Sequence, residues 1–193
     1  MDFRREKWLG GIGVALYLFG FLPRIGFIFR ISGIVLLLIS LRQLATKFLE
    51  DKIFTNFLTG FIISVAGVGL AIFTAILTGA GAFIRYYVEG SFSYQLGALS
   101  GLGTTLAVFL IILYLSLVAG SYFYKGSFTA LAIKSGINGF KTGGELLFYG
   151  AISIVLIVGA LVMLAGWIVM LVSFFSLPDT LETQQPSDSS SST

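Results

Sequence analysis

Three stretches of this chain, residues 57–84, 96–124 and 146–177, contain no Asp, Glu, Lys or Arg. A helix rises ~1.5 Å per residue, so ~20 apolar residues cross the ~30 Å hydrocarbon core of a bilayer. Each stretch exceeds that length, and each predicts one transmembrane helix. Two weaker apolar segments precede them. Residues 8–22 are apolar and glycine-rich (Gly10, Gly11, Gly13, Gly20), start on Trp8 as an interfacial anchor, and stop at Pro23 and Arg24. Residues 25–41 resume the pattern around Arg30, which is near enough to the segment's start to reach the interface. A charged start and a short apolar stretch also describe a signal peptide. The arrival of Arg24 and Arg30 in place of a small-residue cleavage site favours an uncleaved helix. The first two segments are expected to form a hairpin at Pro23. The alternative is a re-entrant pair, which needs surrounding protein to satisfy its backbone.

Polar sequence separates the helices. Residues 42–56 place Leu44, Phe48 and Leu49 on one helical face, which predicts an amphipathic segment lying on the membrane surface. Residues 125–145 form a second such loop, with a helical pattern from Ser127 that ends at Gly136. Residues 178–193 are acidic and Ser/Thr-rich, and are expected to be disordered. The expected fold is therefore all-α, a polytopic transmembrane helix bundle over residues 1–177. It has about five transmembrane helices (8–22, 25–41, 57–84, 96–124 and 146–177) and two short cytoplasmic amphipathic segments.

Composition narrows the function. Charged residues make up 11% of the chain, against ~25% in a soluble domain. The formal charge of +3 is spread between apolar runs rather than gathered on one face. Nucleic acid is not an expected partner; the lipid bilayer is, with anionic headgroups meeting the basic loops. With five crossings, one face carries Arg4, Arg5, Lys7, Arg42, Lys47, Lys52, Lys125, Lys134 and Lys141, and the other Arg24, Arg30 and Arg85. The excess of positive charge on cytoplasmic loops then places the N-terminus in the cytoplasm and the C-terminus outside the cell membrane. The chain has no Cys and no His. That removes disulfides, thiolate metal sites, His-ligated metal sites and any Ser–His nucleophile. No carboxylate lies inside the three long runs, as an intramembrane aspartyl protease or a proton-coupled transporter would need. No catalytic, cofactor-binding or metal-binding residue is expected, and no cofactor.

What the long runs offer is packing. The third helix carries Gly67, Ala71, Ala75 and Gly79 at four-residue spacing, and the fourth carries Gly97, Gly101 and Thr105. Such stripes let backbones approach closely, which matters because lipid supplies no hydrophobic drive between helices. They are expected to form the seam between helices three and four, or a homodimer seam, or a solute path. The hydroxyls in these helices, including Ser116, Thr104 and Thr105, are expected to bond back to their own carbonyls. The two long loops also echo each other. Leu44-Ala45-x-Lys47 recurs as Leu131-Ala132-x-Lys134, and Thr55 and Thr142 follow each Lys at the same distance. This is either a duplicated unit or two amphipathic segments obeying the same rules.

Several of these features resemble a known family. They are the opening Leu9-Gly10-Gly11-Ile12-Gly13, the Pro23 break, Asp51-Lys52-Ile53-Phe54-Thr55-Asn56, the stretch from Lys125 to Thr142, and Ala165-Gly166-Trp167 with Phe174-Phe175-Ser176. In this order they resemble a domain-of-unknown-function family of small, mostly archaeal integral membrane proteins, over roughly residues 8–177. The resemblance implies several membrane helices and supplies no activity. The function expected is that of a non-enzymatic membrane component: a scaffold, an assembly factor or a subunit of an unidentified membrane partner. The alternative is a passive transporter of a small solute or lipid, acting as a homo-oligomer.

Overall fold

The computed structural model describes residues 3–20, 25–89 and 93–179, and the side chains of all of these except 82–89, 93–100 and 102. Pro23, and all but the first two residues of the 178–193 tail, lie outside the described residues. Six α-helices are described: α1 (Arg4–Phe19), α2 (Gly26–Phe48), α3 (Lys52–Glu89), α4 (Ser93–Ser135), α5 (Asn138–Ile152) and α6 (Val158–Phe175). Among the described residues there is no strand. Among the described residues four stretches are long and apolar enough to cross a membrane: Gly26–Phe48, Lys52–Gly81, Gly103–Ser135 and Val158–Phe175.

Glycine decides how the shorter helices pair. α1 and α2 form an antiparallel hairpin in which Gly13 faces Gly33 and Gly20 faces Gly26. α5 and α6 repeat the device, with Gly143 facing Gly166 and Gly150 facing Gly159. On every one of these helices the two glycines are seven residues apart, two turns, and so lie on one face. The approach is close enough that a Cβ on Gly33 would sit 2.6 Å from the Gly13 carbonyl oxygen and 2.7 Å from the Tyr17 nitrogen. Inside lipid, where apolar surface is not driven out of solvent, such contact is what holds helices together.

The run 146–177 is therefore not one tilted helix, as its composition suggests. It turns back on itself through a 3₁₀ turn, Ser153–Leu156, and Ile157, whose φ is +61°. The left-handed region is costly for a β-branched residue, by ~1–2 kcal/mol. The close glycine contacts on either side of the turn offset that strain. Neither Pro nor a polar residue other than Ser153 marks the break.

The two expected surface segments are also corrected. Residues 42–48 continue α2, and residues 127–135 continue α4, without interruption. Much of their apolar surface meets protein rather than headgroups: whereas Leu49 is 88% exposed, Leu44 and Leu131, with the neighbouring Leu41, are fully buried. With Phe3, Ile53, Phe128, Phe140, Phe174 and Leu177 they form the core of a head at the charged end of the bundle. Where the alternative is water, each such side chain stabilises by ~1.5–3 kcal/mol. The echo between the two segments is structural at their ends. α2 stops at left-handed Leu49 (φ 51°) and α4 at left-handed Gly136 (φ 73°), each two residues after its Lys. The Leu49 N–H donates to the Ala45 and Thr46 carbonyls, and the Gly136 N–H to the Ala132 carbonyl.

An even number of helices brings the described ends of the chain together. The Phe3 N–H donates to the Asp179 carbonyl at 2.8 Å, and Lys7 Nζ lies 3.2 Å from Asp179 Oδ1. Residues 3 and 179 thus lie together at the head, where the sequence reading expected the two ends on opposite faces. The extra turn at 153–157 is the cause. Residues 178–193 contain no Lys or Arg, so the charge asymmetry was blind to where they lie.

The long hairpin of α3 and α4 is the other dominant feature. The Ser127 hydroxyl donates to the Ile53 carbonyl at the head, and Gly60 packs against Gly120 farther along. Tyr114 Oη donates to the Ile152 carbonyl at the α5–α6 turn (3.1 Å). From there α4 runs back toward Ser93 for about 30 Å more at the helical rise. Along that length, among the described residues, α3 and α4 accompany only each other. Phe73, Ile76, Leu77, Leu106, Leu110 and Ile111 are exposed there. An apolar surface of this extent belongs in lipid or against another membrane protein.

Candidate functional site

Between the head and the free end of the α3–α4 hairpin lies an apolar cavity of about 670 Å³. It exists because α2 touches α3 and α4 only sparsely, while α1 and α6 close the far side. α2 supplies Phe27, Arg30, Ile31, Ile34, Val35 and Leu38; α3 supplies Phe61, Ser64, Val65 and Val68. Leu117, Ser121 and Tyr124 come from α4, Tyr17 from α1, Leu147 from α5, and Met163 and Trp167 from α6. The spacing on α2 is helical, so one face of that helix forms the wall.

Few polar atoms line this space, and two of them are already engaged. The Ser64 hydroxyl donates to the Gly60 carbonyl at 2.9 Å, and the Ser121 hydroxyl to the Val118 carbonyl at 2.8 Å. Such back-bonding removes most of a hydroxyl's polarity from its surroundings. Arg30 supplies the single charge on the wall. Its guanidinium carbon lies 5.5 Å from the centroid of the Tyr17 ring, in cation–π range. Tyr17 in turn packs against Trp167, with centroids 4.5 Å apart. These contacts orient the arginine and tie α1, α2 and α6 together at the cavity.

A second, smaller cavity of about 460 Å³ opens at the head, lined by Glu6, Ile39, Arg42, Gln43, Thr46 and Lys47. Glu6 is almost fully buried, and its Oε2 lies 2.8 Å from Lys47 Nζ. The pair is an ionic contact rather than an aligned hydrogen bond. Lys47 also sits 5.1 Å from the centroid of the Phe3 ring. Lys134 makes the matching contact of the second echo segment, 3.6 Å from Glu50 Oε2. These pairs pin helix ends to one another in the head. Among the described residues no group of three or more acidic side chains could hold a metal ion.

The residues expected to form the α3–α4 seam are placed unequally. Gly67 lies directly against Ser116, where a Cβ would collide with the hydroxyl, and Ala71 is fully buried. Ala75 is half-buried. An added Cβ on Gly79 or Gly101 would meet no described atom within 4 Å. Thr105 donates to the Gly101 carbonyl of its own helix at 2.9 Å. Gly97 belongs to α4, but its surroundings lie outside the described residues. None of the seven lines either cavity. The cavity residues Tyr17, Arg30 and Trp167 were not singled out together, because nothing in the linear pattern shows that three separate helices converge there.

Helices joined by glycine contacts, a lipid-compatible surface and four spans of sufficient length define an all-α polytopic membrane protein. Within that class the family can be stated. Residues 29–186 match the family described as a protein of unknown function, DUF996. Over 187 residues the chain is 32% identical to an uncharacterised protein, MJ1644, of Methanocaldococcus jannaschii, covering 95% of this chain and 98% of that one. The chain belongs to the DUF996 family, as the resemblance in its sequence implied. No solved structure matches it.

Proposed function

We infer that this protein is a non-enzymatic membrane component, a scaffold, assembly factor or partner subunit, that works through the free-standing part of α3 and α4. The observation that carries this reading is the length of hairpin left uncovered beyond Tyr114 and Ile152. Gly69, Gly79, Gly81, Gly101 and Gly103 lie on or beside this stretch, and a Cβ on any of them would meet no described atom within 4 Å. In lipid, that room lets a further helix approach. Three of the hydroxyls described there bond to their own helices: Thr74 donates to the Leu70 carbonyl, Thr78 to Thr74 and Thr105 to Gly101. They offer no lining for a polar solute, which weighs against passive small-solute transport. No catalytic residue, cofactor or nucleic acid enters this reading.

The same reading puts the head in the cytoplasm. It carries Arg4, Arg5, Lys7, Arg42, Lys47, Lys52 and Lys134, and such an excess marks the cytoplasmic side. Both described ends are then cytoplasmic, and the basic rim meets anionic headgroups. The test of the partner surface is photo-crosslinking in native membranes from Leu77 and Leu110, with Ile28 as a site away from the hairpin. A discrete protein adduct from the first two and not the third is the expected result. Lipid adducts alone from all three would overturn the reading.

A further inference from the structure

We propose that the central cavity binds a lipid-soluble quinone taken up sideways from the hydrocarbon, with a quinone carbonyl accepting from the Arg30 guanidinium and the ring against Tyr17 and Trp167. The partner surface is a different part of the molecule, and neither reading depends on the other. Depth sets the class of ligand. On α3 the cavity wall runs from Phe61 to Val68, and exposed Phe73, Ile76 and Leu77 carry the apolar surface about 14 Å past it. The cavity, and Arg30 with it, therefore lies within the hydrocarbon, away from either headgroup layer. Phe27, Ile31 and Val35 on α2 and Val65 and Val68 on α3 line the cavity and are also exposed. The space thus opens to lipid between these two helices, and whatever enters is itself lipophilic. The wall narrows the class further. Among the described residues no acidic side chain lines it, so a lipophilic cation would meet only the like charge of Arg30. A hydrocarbon chain alone would leave the guanidinium unused. A neutral molecule with a carbonyl acceptor uses both, because charge-assisted hydrogen bonds strengthen where the dielectric is low. The inner wall also offers aromatic surface: the Tyr17 and Trp167 ring centroids lie 4.5 Å apart, with the guanidinium beside Tyr17. Flat rings pack favourably on such faces. A space of about 670 Å³ has the size of a small-ligand site, and takes a quinone ring with the first part of its tail. The rest of the tail stays in lipid through the lateral opening.

Trp167 reports occupancy. It lines the cavity and is only 8% exposed, and quinones quench indole emission on contact. The chain has two tryptophans, and Trp8 at the head can be replaced by Trp8→Phe. The full-length Trp8→Phe protein in phosphatidylcholine vesicles is titrated with 2-methyl-1,4-naphthoquinone carrying a tail of two isoprene units. Quenching is expected to saturate at one quinone per chain. Arg30→Leu should raise the half-saturating mole fraction about tenfold or more, the loss of one hydrogen bond from a charged donor, and Arg30→Lys should keep most of the affinity. Leu117→Phe, which adds a ring to the wall, should weaken binding. Palmitate, which has an acceptor and no ring, should not restore the emission when added at the same mole fraction as the quinone. Quenching that rises without saturating would overturn the proposal, as would an Arg30→Leu variant of unchanged affinity. Unchanged binding in Leu117→Phe would show that the quinone reaches Trp167 by another route, and would overturn it as well. Full recovery of emission with palmitate would assign the cavity to a fatty carboxylate instead. Should Arg30→Leu fail to fold, saturation in the parent protein, the palmitate competition and Leu117→Phe decide the matter.

Discussion

Replacing Gly33 by Ala and replacing Gly69 by Ala are chemically identical changes that should shift stability in opposite directions. Both glycines sit inside helices, α2 and α3. In each case alanine gains about 1 kcal/mol of intrinsic helix preference. At Gly69 no described atom opposes this gain, because a Cβ there meets none within 4 Å. At Gly33 the new Cβ would stand 2.6 Å from the Gly13 oxygen and 2.7 Å from the Tyr17 nitrogen. Both are backbone atoms of the opposing helix and cannot rotate away. Restoring ordinary contact at 3.4 Å needs α1 and α2 to separate by about 0.8 Å. Overpacking of this kind costs ~1–3 kcal/mol, and rigid neighbours push toward the upper end. The net expectation is a loss of about 1–2 kcal/mol for Gly33→Ala and a gain of up to about 1 kcal/mol for Gly69→Ala. Reversible unfolding in mixed micelles, followed by tryptophan emission, would measure both. Because Tyr17 and Trp167 are in contact, separation of α1 should also change the emission of Trp167 in the folded state. Equal stability of the two variants would refute the idea that close glycine contacts, rather than helix preference, set the pairing.

Three further outcomes are expected. Lys47→Met leaves the nearly buried Glu6 carboxylate without its cation and should lower stability by about 2–4 kcal/mol; Glu6→Gln combined with Lys47→Met should recover most of that in thermal unfolding, and failure to recover would dismiss the pair as the cause. At the helix ends, Gly136→Ala should destabilise and Leu49→Gly should stabilise, each by about 1 kcal/mol, since both residues hold positive φ and Leu49 is 88% exposed. Compartment reporters fused to the N-terminus and after Thr193 should both read cytoplasmic; readings on opposite sides would refute the shared face.

The membrane setting and the all-helical class follow from residue order alone. Runs such as 57–84 and 96–124 leave a bilayer-length helix as the only way to satisfy their backbone. The stop at Gly136 was equally readable, because left-handed backbone favours one residue type. Other features depended on contacts between distant segments. The break at 153–157 carries little local signal; Gly150 and Gly159 become meaningful only when they face each other. Leu44 and Leu131 have the same amphipathic pattern whether they lie on headgroups or in a protein core. Gly67 and Gly79 belong to one stripe, yet among the described atoms only a Cβ on the former would meet α4, because tertiary packing uses part of a periodic face. The cavity is the clearest case. Tyr17, Arg30 and Trp167 are dispersed along the chain, and helix crossing alone brings them to one wall. Periodicity is a property of each helix by itself and can be read from sequence. Which turns of which helices meet is a property of pairs, and only the tertiary structure decides it.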